Sequence, residues 1–84
     1  MMNLESVTER INRLGYRKST GISYTDEGLR IIDYHKKGKG IDMYTAYVNA
    51  YGSVEYVEKT KFKWDNSGRR YPVVSKYHKL TEIQ

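Results

Sequence analysis

Lys59, Lys61 and Lys63 alternate with Thr60, Phe62 and Trp64 in the stretch KTKFKW. Successive side chains of an extended chain point to opposite faces, so this spacing predicts a strand with lysines on one side and aromatic rings on the other. The chemistry a lysine face offers is capture of a polyanion. Each ammonium or guanidinium that meets a phosphate releases condensed counterions, giving affinity that is largely independent of sequence and falls steeply with salt. Residues 59–84 hold seven Lys or Arg against two Asp or Glu, whereas residues 1–58 hold eight against eight, so the net charge of +5 belongs to the C-terminal segment.

Other chemistries find little support. His35 and His78 are the only histidines, and neither has a Ser or carboxylate at a recognisable motif spacing. The run Gly38-Lys39-Gly40-Ile41 is not a phosphate-binding P-loop, which needs an earlier glycine at fixed distance and Ser or Thr after the lysine. Asp26, Glu27 and Asp42 are too sparse for a calcium or two-metal site. The absence of cysteine removes disulfides, zinc-thiolate sites and thiol catalysis together. The expectation is a non-enzymatic protein with no metal and no cofactor.

The elements that must position the lysines follow from periodicity. Asn3 is placed to cap a helix over about 4–14, where Leu4, Val7, Ile11 and Leu14 recur at helical spacing and Gly15 supplies the stop. Its outer face carries Glu5, Glu9, Arg10 and Arg13, with Glu9 and Arg13 spaced for an ion pair. Strands are expected at about 19–25, 29–35, 41–51, 53–64 and 69–78, separated by turn chemistry at Asp26-Glu27-Gly28, the basic loop HKKGKG, Gly52-Ser53 and Asp65-Asn66-Ser67-Gly68. Residues 41–51 fit a helix through Ile41, Tyr44, Val48 and Tyr51, but their β-branched and aromatic content favours a strand. The tail from Lys79 either prolongs the last strand or frays. These elements make an α+β fold, an N-terminal amphipathic helix packed on one antiparallel sheet of about five strands, with residues 1–84 forming one domain.

Taking Asp65 to Gly68 as a four-residue loop sets Trp64 opposite Arg69 and Lys63 opposite Arg70. One face of the hairpin then gathers Lys59, Lys61, Lys63, Arg70, Lys76 and His78. The other gathers Tyr56, Phe62, Trp64, Tyr71, Val73 and Tyr77 as core, and burial of Phe62 and Trp64 is what should specify the register. Pro72 belongs at an edge or bulge, because it cannot donate to a ladder. The expected nucleic-acid-binding set is Lys59, Lys61, Lys63, Arg69, Arg70 and Lys76, assisted by Lys36, Lys37 and Lys39 of the basic loop. A two-stranded ribbon of this kind fits the major groove of DNA. Lysine on an edge hairpin also serves simply to discourage edge-to-edge aggregation.

Nine tyrosines among eleven aromatic residues imply that some rings substitute for aliphatic core, with hydroxyls reaching polar partners. The N-terminal MMNLESVTERINRLGY lacks the basic region and continuous apolar run of a signal peptide, and no stretch approaches membrane-span length. The expectation is therefore a cytoplasmic protein with no membrane partner.

The segment MYTAYVNAYGSVEYVEKTKFKW, residues 43–64, resembles the hairpin of the three-stranded DNA-binding domains at the N-termini of tyrosine-family integrases. In those, aromatic strands joined by a short glycine turn lie in the major groove. Those domains place their helix after the sheet whereas this chain places it before, so the resemblance transfers no residue role. The short, cysteine-free, tyrosine- and lysine-rich make-up also resembles small proteins of phages and mobile elements from low-GC bacteria, many of which bind nucleic acid or host proteins. Two functions follow as expectations: a nucleic-acid-binding module with DNA or RNA as partner, or a protein-interaction module such as a phage-type inhibitor of a host protein. The tyrosine-rich edge hairpin is also suited to a homodimer.

Overall fold

The computed structural model describes residues 1–36, 38 and 41–84. Lys37 and Lys39, two cations of the expected binding set, lie outside the described residues. Helix α1 spans Leu4–Arg13, and Asn3 caps it as expected, its Oδ1 accepting from the Ser6 N–H at 3.1 Å. Val7 and Ile11 face inward and are fully buried, while Glu9 and Arg13 pair on the solvent side. Leu14 ends the apolar stripe half-exposed.

The strands are β1 (Met2–Asn3), β2 (Tyr16–Lys18), β3 (Ser23–Tyr24), β4 (Arg30–Lys36), β5 (Met43–Val48), β6 (Ser53–Trp64) and β7 (Arg70–Tyr77). All pair antiparallel in the order β1-β6-β5-β4-β2, with β3 also on β4 and β7 also on β6. Two of the seven are two-residue strands, which leaves the expected five principal strands with a helix against one face. Of the strand expected at 19–25 only β3 forms, while β2 precedes that range, and both pair with β4. Tyr16 draws the chain into the sheet directly after the helix, because its ring is buried edge-on against Tyr44 at 4.8 Å. Residues 41–51 contain strand β5, not helix.

Three hairpin turns share one construction. At Thr25–Leu29, Asn49–Ser53 and Asp65–Arg69, the first residue's N–H donates to the fifth residue's carbonyl at 2.8–2.9 Å. In each, a side-chain oxygen of the first residue accepts the fifth residue's N–H, at 2.9–3.1 Å. The fourth residue is glycine with φ of 82–87°, the left-handed conformation that closes a three-residue loop.

Core side chains come from both layers: Val7 and Ile11 of α1 meet Ile32, Tyr34, Tyr44, Ala46, Val48, Val54 and Val57 of the sheet. Tyr34 and Tyr44 are fully buried, and their hydroxyls find partners in Thr8 Oγ1 at 2.7 Å and a main-chain oxygen of Gln84 at 2.6 Å. These are the tyrosines that replace aliphatic core. The tail neither frays nor prolongs β7. It turns through a 3₁₀ helix at Leu80–Glu82 and buries Ile83, whose carbonyl accepts from Arg10 Nε at 2.9 Å. Arg10, expected on the solvated face of α1, thus joins Tyr44 in holding the tail down.

Candidate nucleic-acid interface

The basic hairpin forms, but its register differs by one residue from the four-residue-loop expectation. The three-residue loop Asn66-Ser67-Gly68 sets Asp65 against Arg69, so Trp64 pairs with Arg70, Lys63 with Tyr71, Lys61 with Val73 and Lys59 with Ser75. The Asp65 carboxylate builds this turn by accepting from Ser67 Oγ at 2.7 Å and from the Ser67 and Arg69 N–H groups at 2.9 Å. Those bonds, the Ser67 hydroxyl's first, hold its pKa below the usual carboxylate value.

A one-residue slip moves every side chain of one strand to the other face. Lys59, Lys61 and Lys63 therefore share a face with Tyr71, Val73 and Ser75, whereas Arg70 and Lys76 join Phe62, Trp64 and Tyr56 on the opposite one. This corrects the expectation that all five cations stand together above an apolar reverse side. A β-bulge adds to the change: Tyr47 pairs with Tyr56 but Val48 with Val54, leaving Glu55 as the extra residue. Val54 and Val57 consequently both point at the helix, and past the bulge the lysines, not the aromatics, continue on the helix side.

Neither face of the outer hairpin is core. Trp64 is 69% exposed, and Tyr71, Val73 and Val74 are exposed as well. The cause is length: α1 has ten residues and β6 twelve, spans of about 15 Å and about 40 Å. The helix covers β6 only as far as the level of Val57. From Lys61 outward β6 has no β5 partner among the described residues, so the tip is a two-stranded ribbon open on both sides.

The two sides differ in chemistry. On the helix side Lys59 is committed to the fold, with its ammonium 5.2 Å from the Tyr44 ring centre and 3.1 Å from the main-chain oxygen of Gln84. Lys36 pairs with Tyr16 at the end of β4 and covers that ring at 5.7 Å, on the same side of the sheet as Lys59. Lys61 and Lys63 beyond them are exposed. On the reverse side Arg70 lies 5.0 Å over Phe62 and Lys76 lies 4.0 Å over Tyr56, both as cation–π pairs. Tyr56 in turn stacks on Tyr47 at 4.4 Å, and the Tyr47 hydroxyl donates to Glu58 at 2.5 Å. Burial, reinforced by that carboxylate, raises the Tyr47 pKa far above its ordinary value.

Glu9–Arg13 on the helix is the sole salt bridge among the described residues, so Lys61, Lys63, Arg69, Arg70 and Lys76 make no close ion pair, although Glu58 stands opposite Lys76 in the ladder and the Asp65 carboxylate lies beside Arg69. Their mutual repulsion costs stability unless salt or a polyanion relieves it. His35 lies at the end of β4, and the His78 ring stands 6.2 Å from Tyr56. Among the described residues no three His, Asp or Glu side chains gather as a metal-binding group, and no helix is long and apolar enough to cross a membrane.

The chain matches no protein-family model, no curated protein and no solved structure. The aromatic residues Tyr56, Phe62 and Trp64 are the part of the site that sequence reasoning assigned to the core. The turn carries the signal that would have set Arg70 and Lys76 beside them: Asp at the first position and Gly at the fourth, repeated in kind at Thr25/Gly28 and Asn49/Gly52.

Proposed function

We propose that this protein is a non-enzymatic, cytoplasmic nucleic-acid-binding module whose β6–β7 ribbon is the binding element. The observation that carries the reading is a ribbon projecting past the helix-covered core with exposed cations on both faces, Lys61 and Lys63 on one and Arg70 on the other, with Lys76 following on Arg70's face nearer the core, opposite Glu58. Arg69 stands at its turn. A structural role for these charges would leave them paired or spread over a solvated face; concentrated on a ribbon tip, they suit a ligand that brings phosphates to both sides. Lys59 and Lys36 contribute positive potential from behind, although both also cover core tyrosines.

Binding of random-sequence DNA or RNA at low ionic strength tests the reading. Lys61→Glu and Arg70→Glu, one on each face, should each weaken it markedly without unfolding the protein, since both positions are exposed. No binding by the parent protein, or unchanged binding by both variants, would sink the proposal. A second reading, a protein-interaction module for a host protein or a second copy, draws on the exposed Tyr71, Val73 and Val74. A stoichiometric protein partner recovered from nuclease-treated lysate, lost on Val73→Glu, would favour it.

A further inference from the structure

Resting on the nucleic-acid reading, we infer that the ligand is single-stranded and that its bases stack on the face carrying Phe62 and Trp64. This face is the side of the sheet turned away from α1, and no element of the described chain covers it at the ribbon. Phe62 and Trp64 are two residues apart on β6, which sets their side chains about 7 Å apart along one face. Opposite them on β7, Arg70 pairs directly with Trp64 and spreads its guanidinium over Phe62 at 5.0 Å. With its charge held over Phe62, Arg70 stands beside the exposed Trp64 ring, which joins an aromatic platform to a positive charge. Farther down the strand the Tyr56 ring is already stacked on Tyr47 at 4.4 Å and capped by Lys76 at 4.0 Å, so there the face adds a cation and no free ring.

A duplex cannot use such a surface. Its base faces are stacked on one another, and it offers a protein phosphates and base edges only. Unstacked bases offer the π-faces that aromatic side chains and guanidinium planes receive, while the phosphates between them meet the neighbouring cations. At 69% exposure Trp64 leaves apolar ring surface in water, which carries a hydration cost. A stacking partner removes that cost. Lys61 and Lys63, on the other side of the ribbon, add long-range attraction without touching the bases.

Trp64 is the only tryptophan in the chain, so its emission reports this site alone. Titration with an oligothymidylate, and separately with a mixed-sequence duplex of equal length at equal salt, is the test. The expected result is quenching of Trp64 emission and tighter binding for the single strand. In a label-based assay Trp64→Ala should weaken single-strand binding by about 5- to 150-fold and duplex binding little, with Trp64→Phe recovering most of the loss. If the duplex binds as tightly as the single strand and Trp64→Ala weakens neither, the stacking inference is overturned while nucleic-acid binding stands. If neither ligand binds at low salt, both fall.

Discussion

Replacing Ile83 by alanine asks whether the tail is part of the fold. Ile83 is 1% exposed, against Val7, Ile11 and the sheet core, and the Arg10 guanidinium fastens its carbonyl at 2.9 Å. Truncating a fully buried isoleucine removes its transfer free energy and leaves a cavity, together about 2–5 kcal/mol. A chain of 84 residues has a total stability of about 4–13 kcal/mol at ordinary per-residue values, so this one change consumes a large share. For a domain of this size the loss lowers Tm by about 10–20 °C or more. The control is Ile22→Ala, the same chemical change at a residue 72% exposed, expected within about 0.5 kcal/mol of the parent. Thermal unfolding followed by far-ultraviolet circular dichroism measures both. A fall of less than about 3 °C for Ile83→Ala, or equal effects at the two sites, would refute a docked tail.

Three further outcomes follow from the same geometry. Burial pushes the Tyr44 pKa up to about 12, with the nearby Tyr77 and Asp42 adding to it, and burial raises Tyr34 as well. Folded-state values above the ordinary 10.0 mean that this stability is complete below pH 10.0 and is lost as pH climbs through about 12, so alkaline unfolding should coincide with the last tyrosinate absorbance step. Asp65 has the opposite sign: its lowered pKa keeps the ribbon turn ordered above the ordinary 3.8 and releases it as pH falls further. Asp65→Ala should accordingly raise amide hydrogen exchange at Ser67 and Arg69 at neutral pH, and unchanged exchange would count against the turn. Pro72 stands opposite Phe62, whose N–H turns away toward Asp42 Oδ1 at 3.3 Å, so the ladder needs no donor at position 72. Pro72→Val gives the outer edge a free N–H and should produce concentration-dependent self-association by sedimentation beyond that of the parent at the same concentration.

The helix was legible because Asn3, the Val7–Ile11 spacing and Gly15 all state one period, and the long strand β6 because it alternates over many residues. Its face assignment was not. Alternation reports which residues share a side only while the ladder is regular, and the bulge at Glu55 reverses the sides between Val54 and Val57. The hairpin register turned on whether Arg69 belongs to the strand or the turn, one residue that decides where Arg70 and Lys76 stand. Aromatic content argued for burial of Phe62 and Trp64, but burial needs a covering layer, and a ten-residue helix does not reach that far. Ile83 was missed because an isolated apolar residue in a polar tail has no periodicity; its partner Arg10 sits 73 residues away.

The salt dependence of binding to a random-sequence single strand tests the central claim most directly. Full engagement of Lys61, Lys63, Arg69, Arg70 and Lys76 with phosphate gives a slope of log K against log salt of about −3.5, at about −0.7 per contact. Partial engagement lowers it toward about −2, and each charge removed by substitution should flatten the line further. A slope in that range, reduced in Lys61→Glu and Arg70→Glu, is the predicted result. Affinity indifferent to salt, or no complex at the lowest ionic strength, would contradict a ribbon built to hold phosphate.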